Sequence, residues 1–363
     1  MTERSEMRSD LGFLSGERPY SPSWFNRIVT AIESLPGPPW AYYLALAPAE
    51  ALLNNALRWL DGSLQPGTFD VFRVAEAPFI PYMLAAIYYL GRTAISSIES
   101  FRPVLAMEKP AYEKIRYELA TTPAKQGLVV GILGIAVGIM NLRNDPAGYG
   151  ISDATSGVTN AYVVVFAVMA SAVGVAFLYH STRQLWMVNR IHAAAKHIDI
   201  FESTTLYSFS RLTVRSGIAI LIMVYYLNFF LNTIQLQGSA VGVTPLTTGI
   251  VVVGNVIAIA SFILPLYGMH LKLAQEKMGL IEQISRRFKT IFGKLHEAID
   301  TDDMERVSAV NKAIASLTVE RETLMRISTW PWAPGTLRGF VSAIALPIII
   351  FLITRILDRF LGT

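Results

Sequence analysis

Five polar side chains interrupt long apolar stretches of the sequence. Asn228 and Asn232 are four residues apart, a spacing that places both on one face of a helix. Polar groups are costly on a helix surrounded by apolar material, so we expect them either to hydrogen-bond to a neighbouring helix or to line a polar cavity or path. Arg73 could form an ion pair with either of the two glutamates in this set. The candidate polar lining consists of Asn228, Asn232, Asn255, Glu50 and Glu76.

The residue types that most enzymes and metal sites need are missing or scattered. The chain has no cysteine, which excludes disulfides and thiolate chemistry. It contains no phosphate-binding loop, dinucleotide fingerprint or nucleophile elbow. His192 and His197 are five residues apart, whereas a shared helical face needs a spacing of three or four. We therefore predict no enzyme, no catalytic or metal-binding residue and no cofactor.

The composition indicates that lipid surrounds much of the chain. Hydrophobic residues make up 52% of it and charged residues only 16%, against about 25% charged residues in soluble domains. A bilayer core of about 30 Å needs roughly 20 apolar residues in a helix. Five segments meet this requirement: 126–142, 159–180, 216–236, 249–268 and 340–357.

Two further segments are less clear, and they leave the number of spans at six or seven. Residues 72–91 are apolar after Glu76 but contain two prolines. Residues 39–60 carry Trp40 and Trp59, whose separation along a helix matches the aromatic belts at the two faces of a bilayer. The alternative for 39–60 is an amphipathic helix that lies in the membrane interface.

The distribution of Lys and Arg predicts the orientation of the chain. The three long connections, 92–125, 181–215 and 269–338, contain 22 Lys and Arg residues, whereas the short loops 143–158 and 237–248 contain one. Positively charged residues are retained on the cytoplasmic side of a membrane. We therefore expect the long connections on the cytoplasmic side of the cell (inner) membrane. The net charge of +4 is spread over loops, and we expect no nucleic-acid binding.

The connection between the last two spans predicts a helical hairpin. Apolar residues recur every three or four positions from Leu271 to Ile299 and again from Met304 to Ile327. The acidic turn 300–303 separates the two series and supplies a helix N-cap. The returning chain meets Trp330 and Trp332, which we predict as anchors at the membrane interface, as we do Trp40 and Trp59.

Small residues mark a packing face on two neighbouring spans. Gly134 and Gly138 are four apart on one span, and Ala170 and Gly174 are four apart on the next. Such spacing lets helix backbones approach closely, either within one subunit or between subunits.

The predicted fold is all-α: a polytopic membrane protein with six or seven transmembrane helices and a cytoplasmic helical layer that includes an antiparallel coiled-coil hairpin. The predicted regions are an N-terminal arm (1–38), one or two membrane helices (39–91), a cytoplasmic helical connection (92–125), a transmembrane hairpin (126–180), a cytoplasmic amphipathic helix and loop (181–215), a second transmembrane hairpin (216–268), the cytoplasmic helical hairpin (269–337) and a final transmembrane helix (338–363).

Two functions fit this architecture. The first is a membrane scaffold or signalling protein whose cytoplasmic hairpin binds a protein partner or self-associates. The second is an oligomeric channel or transporter for ions or small solutes with an asparagine-lined path. The expected partners are the lipid bilayer, a second copy of the chain and a cytoplasmic protein.

Overall fold

The structure is a computed structural model that describes residues 19–105, 107–152, 155–194, 207–236, 245–332, 335 and 337–345, and this part of the chain is helical and contains no β-strand. Ten α-helices have defined bounds: α1 (Trp24–Ser34), α2 (Pro39–Leu60), α3 (Val71–Glu76), α4 (Phe79–Phe101), α5 (Lys109–Ala120), α6 (Ala124–Asn144), α7 (Gly157–Ala194), α8 (Ser210–Leu236), α9 (Pro245–Asp300) and α10 (Met304–Arg326). Residues 337–345 are also helical.

Side-chain caps and prolines explain several helix boundaries. Ser23 accepts a hydrogen bond from the Asn26 amide at the start of α1, and Asp70 accepts one from the Phe72 amide at the start of α3. Pro78 lies between α3 and α4. The segment 72–91, read from the sequence as one candidate span, is therefore divided into a short helix and a long one.

Five stretches in the described residues are long and apolar enough to cross a membrane: Val71–Val104, Ala124–Asn144, Gly157–His192, Ser210–Leu227 and Val253–Asp300. They indicate a membrane protein, as the composition predicts. Four of them overlap four of the five clear segments expected from the sequence to span, and Val71–Val104 contains the less clear segment 72–91. The fifth expected segment, 340–357, lies mostly outside the described residues.

Helices α6 and α7 form a closely packed antiparallel pair. The Tyr179 hydroxyl of α7 donates a hydrogen bond to Gln126 Oε1 near the start of α6, at 2.9 Å. Towards the other end of the pair, Gly138 of α6 lies against the backbone of Val168. The start of α6 and the start of α7 are therefore at opposite ends of the bundle.

Helix α2 connects these two ends. Trp24 of the preceding helix α1 donates a hydrogen bond to the carbonyl of Gly127, at the start of α6. Immediately after α2, Asp61 accepts hydrogen bonds from the Ser156 amide and the Thr159 hydroxyl, at the start of α7. The 22 residues of α2 measure about 33 Å, close to the thickness of a bilayer core.

Two helices are longer than the sequence divisions suggested. Helix α7 has 38 residues and continues through His180 to Ala194, where the sequence placed a separate amphipathic helix from 181. Helix α9 has 56 residues, about 84 Å, and joins the segment 249–268 to the first half of the hairpin without a break. The apolar period changes within each helix, and α9 continues through Pro265 instead of ending there.

The bundle has one connected apolar core. Its largest fully buried side chains come from most of the long helices and include Phe101, Phe177, Phe209 and Phe262. Phe101 and Phe209 pack edge to face around the His192 ring, which joins α4, α7 and the start of α8. The core thus extends from the apolar segments to the root of the hairpin.

Candidate functional site

A ladder of polar side chains lines the buried face of α2. Glu50, Asn54 and Arg58 are spaced four residues apart, and the Arg58 Nε donates to Asn54 Oδ1 at 3.2 Å. Tyr162 of α7 donates its hydroxyl to Glu50 Oε1 at 3.0 Å. Asn55, on the same helix, accepts a hydrogen bond from the Asp70 amide. The ladder therefore ties α2 to α7 and to the start of α3.

A second buried guanidinium lies beside the ladder. Arg73 of α3 is only 4% exposed, and its Nη1 donates to Glu76 Oε2 at 2.7 Å. Asp70 lies 3.9 Å from Arg73 Nε. Of the two glutamates that the sequence offered as partners for Arg73, the structure pairs it with Glu76, while Glu50 contacts Tyr162.

Gly150 lies close to the side chains of both Arg58 and Arg73. Its φ angle is +73°, and a Cβ atom at this position would lie 2.5 Å from Arg73 Nη2 and 2.9 Å from Arg58 Nη2. Both guanidiniums therefore lie under the backbone of the loop between α6 and α7. Glycine is needed here because of its positive φ and because a side chain would collide with both cations.

Three atoms of this polar cluster are buried without a hydrogen-bond partner in the described structure: Glu50 Oε2, Arg58 Nη2 and Arg73 Nε. Such atoms are rare in folded proteins because burial removes their hydrogen bonds to water. The cluster could accommodate water or a small polar species. Among the described residues, no group of His, Cys, Asp and Glu is arranged to hold a metal ion.

Of the three predicted asparagines, the structure describes the side chain of Asn255 alone. The side chains of Asn228 and Asn232, on α8, lie outside the described residues. Asn255 is half-buried on α9, with Ala258 fully buried one turn further along. Among the described side chains of the predicted polar lining, Glu50 and Glu76 belong to this cluster. Sequence reasoning missed Arg58, which is four residues from Asn54 and eight from Glu50 on the same face of α2.

The predicted packing residues contact different partners. A Cβ at Gly134 would lie 2.5 Å from the Cα of Ala172, so this glycine permits close approach of α6 and α7 within one subunit. Gly174 instead faces the Phe79 ring of α4. Ala170 is half-buried. Gly174 therefore does not share the face of α7 that packs on Gly134 and Gly138, where Ser171 and Ala172 lie.

The two predicted tryptophan anchors after the hairpin form an aromatic stack. Trp330 and Trp332 are 4.5 Å apart, ring centre to ring centre, and nearly parallel. Trp330 stacks on His270 at 4.1 Å, and Trp332 stacks on Phe262 at 4.9 Å. Both tryptophans are half-buried. The stack holds the returning chain against α9 where the hairpin begins.

The other two tryptophans have different surroundings. Trp40, at the start of α2, is largely exposed. Trp59, near its end, donates its Nε1 hydrogen to the carbonyl of Thr68 and packs edge to face on Phe69. One tryptophan is thus at each end of the 33 Å helix described above.

A cleft of about 680 Å³ lies between α1, α4 and α5. Glu33 and Arg92 face each other in it at 3.9 Å, and burial raises the pKa of Glu33. The volume suits a small ligand. Every buried polar side-chain atom of its lining residues has a hydrogen-bond partner in the described structure, so the geometry assigns this cleft no ligand.

Helices α9 and α10 pack antiparallel as a hairpin. Near its tip, Arg306 of α10 lies 3.6 Å from Glu297 of α9. Further down, Arg287 lies 3.8 Å from Glu320. At the root, Lys277 donates to the carbonyls of residues 325 and 327. Asp303 caps α10 by accepting a hydrogen bond from the Arg306 amide.

The hairpin buries only one of two apolar faces of α9. The face turned to α10 includes Ile284 and Ala298, which are almost completely buried. A second face carries a row of large apolar side chains that are 43–64% exposed. We call this row the outer stripe; it consists of Leu264, Leu271, Met278, Phe292 and Ile299.

The outer stripe has a regular spacing. Its members are seven residues apart, with the exposed Ser285 at the one remaining position. A half-exposed apolar row lies between the stripe and α10, formed by Ala274, Ile281, Phe288 and Leu295. The apolar series predicted from the sequence combined the outer stripe, the half-exposed row and the buried face of α9. Spacings of three and four residues do not separate faces that are close together on a helix.

Comparison of the chain with protein families, curated proteins and solved structures gives no match. The functional assignment therefore rests on the geometry of the polar cluster and of the outer stripe.

Proposed function

We propose that this protein is an integral membrane scaffold or signalling protein whose cytoplasmic hairpin docks another helix on its outer stripe. The chain crosses the cell (inner) membrane seven times, with α2 as the first span and residues 338–363 as the last. The three long connections form a helical layer on the cytoplasmic side, and α1 lies at the same end of the bundle.

The count of seven is supported by the path of α2. This helix begins beside α1 at the end of the bundle where α6 starts, and Asp61 after it contacts the start of α7. A helix lying in the interface would have both ends on one side of the bundle. Helix α2 is not among the five apolar stretches, but its path between the two ends supports a seventh crossing, which would put the N-terminus on the side of the hairpin.

The outer stripe is the observation that carries the proposed function. Large apolar side chains in a continuous row usually mark an interaction surface when they project into water. Met278, Phe292 and Ile299 project from the part of α9 that α10 accompanies, beyond the apolar segment 249–268. Phe288 and Phe292 stack on each other at 5.9 Å, which adds an aromatic patch to the row. Docking of a helix would remove this surface from water.

Thiol accessibility tests the docking directly, because the chain has no native cysteine. Met278→Cys places a thiol on the stripe, and Thr290→Cys places one on an exposed position of the same helix away from it. In native membranes opened to the reagent, we expect the thiol at 278 to react several-fold more slowly with a membrane-impermeant maleimide than the thiol at 290. Dilute detergent should remove the difference. Equal rates in the membrane would contradict docking.

The channel or transporter remains an alternative prediction. Its support is the buried polar cluster of Glu50, Arg58 and Arg73, with side-chain atoms that lack hydrogen-bond partners in the described residues. The asparagine-lined path stays untested, since the side chains of Asn228 and Asn232 are outside the described part of the chain.

A further inference from the structure

We propose that the helix docked on the outer stripe is α9 of a second copy of this chain, parallel to the first and in the same register. The two copies are related by a twofold axis along the membrane normal. This inference rests on the proposed docking function and names its partner.

The spacing of the stripe favours pairing with a parallel helix. An α-helix has 3.6 residues per turn, so positions seven residues apart drift by about 20° per repeat unless the helix supercoils around a partner. The stripe keeps the seven-residue interval from Leu264 to Ile299. The half-exposed row from Ala274 to Leu295 follows the stripe by three residues in each repeat. The stripe and this row together form the a and d positions of a heptad seam.

Membrane insertion makes an identical α9 the best-matched partner. The stripe starts at Leu264, inside the apolar segment 249–268, and continues to the tip of the hairpin at Ile299. A partner that covers all of it must itself stand upright in the membrane and extend about as far beyond it. Every inserted copy has the same orientation and height, so two copies bring identical stripes together at a twofold axis.

Ser285 favours one register over its neighbours. It is the single polar residue at the stripe positions between Leu264 and Ile299. In register, Ser285 meets Ser285 of the partner, whereas a shift by one heptad places it against Met278 or Phe292. The Ser285 hydroxyl donates to the Ile281 carbonyl of its own helix at 2.8 Å, and its oxygen can accept from the partner's hydroxyl in register, whereas a shift leaves that oxygen among apolar side chains.

Charge at the edge of the seam is compatible with this arrangement. In a parallel pair, a residue at the edge of one helix faces the residue five positions later on its partner. Lys277 then faces Glu282, an opposite charge whose carboxylate also lies 3.5 Å from Arg286 of its own helix. Lys277 uses two of its three ammonium hydrogens on the carbonyls of residues 325 and 327, so one hydrogen remains for the partner carboxylate.

Disulfide cross-linking in native membranes tests parallel, in-register pairing. Met278→Cys and Ser285→Cys each place one thiol on the stripe, and Thr290→Cys is the matched control on the same helix. After mild oxidation, we expect several-fold more covalent dimer from each stripe variant than from the control. Ser285→Cys is nearly isosteric, so it remains informative should Met278→Cys disturb folding.

Mixed samples determine direction and register. Coexpression of Met278→Cys with Phe292→Cys carrying a second tag should give homodimers of each and little mixed dimer. A dominant mixed dimer would indicate an antiparallel or shifted pairing and overturn the inference. Thiol shielding at 278 without any cross-link would also overturn it, while leaving docking of a different helix, and thus the proposed function, in place.

Discussion

Asp61 is the side chain that fixes the end of α2 to the start of α7. It accepts hydrogen bonds from the Thr159 hydroxyl at 2.5 Å, the Ser156 amide at 3.0 Å and the Ser63 amide at 3.0 Å. Hydrogen bonds from Ser63 and Thr159 hold the pKa of this carboxyl well below its ordinary value, since they favour the ionised form. The junction therefore depends on the charge of one residue.

We predict that Asp61→Asn lowers the melting temperature in detergent by a few degrees at pH 7. The folded pKa lies below the unfolded value of about 3.9, so the carboxylate stabilises the fold above that pH and loses its contribution as pH falls through the folded pKa. The difference between the native protein and the variant should shrink below about pH 4. Asp300→Asn, at the exposed end of α9, is the control. A pH-independent difference would contradict this role.

Residue-level chemistry was only partly predictable from the sequence. Glu50 and Glu76 stood out because carboxylates are rare in apolar segments. Arg58 did not, since it lies near the end of α2, where an arginine normally reaches the membrane surface. Its burial depends on Gly150 and the loop over it, a contact between residues 92 positions apart that no local pattern records.

At the scale of elements, the hairpin depends on a narrow seam between α9 and α10. Leu317 is 7% exposed and lies in this seam, whereas Val319, two residues later, is 63% exposed. A charge at the first position must be buried without a partner, while a charge at the second remains in water. A charge at residue 317 therefore affects folding of the hairpin, whereas the same charge at residue 319 changes only the surface of the hairpin.

We predict that Leu317→Asp opens the hairpin and leaves the membrane segments inserted. Removal of the buried leucine alone typically costs about 2–5 kcal/mol, and burial of the carboxylate adds to it. Limited proteolysis of vesicles should cut the variant between residues 271 and 327 at least several-fold faster than the native protein, while the apolar segments stay protected. Val319→Asp should be cut at the native rate. Loss of the protected fragments would show that the hairpin and the spans do not fold separately.

The helix ends in this region were easier to predict than the continuity of the helices. The turn 300–303 was readable because Asp303 is a strong N-cap and α10 begins one residue later. The unbroken α7 and α9 were not, because a change from an all-apolar to an amphipathic pattern resembles a boundary although the backbone needs none there. The outer stripe was also missed, since its seven-residue period is visible only after α10 has been placed.

At the scale of the whole molecule, the arrangement separates two chemically different ends. The polar cluster and the short loop between α6 and α7 lie at one end of the bundle. The hairpin, the aromatic stack of Trp330 and Trp332, and the basic connections lie at the other. We propose, from the lysine and arginine distribution, that the basic end faces the cytoplasm. If docking of α9 to α9 occurs, it joins copies at that end and leaves the polar cluster facing the opposite side.

The proposed orientation is tested most directly by finding on which side of the membrane two single cysteines lie, each introduced into the otherwise cysteine-free chain. Thr301→Cys places a thiol at the exposed tip of the hairpin, and Ser152→Cys places one in the exposed loop between α6 and α7. In intact cells, a membrane-impermeant maleimide should label the thiol at 152 and reach the thiol at 301 only after permeabilisation. Labelling of both thiols from the same side, or of 301 alone in intact cells, would contradict the account.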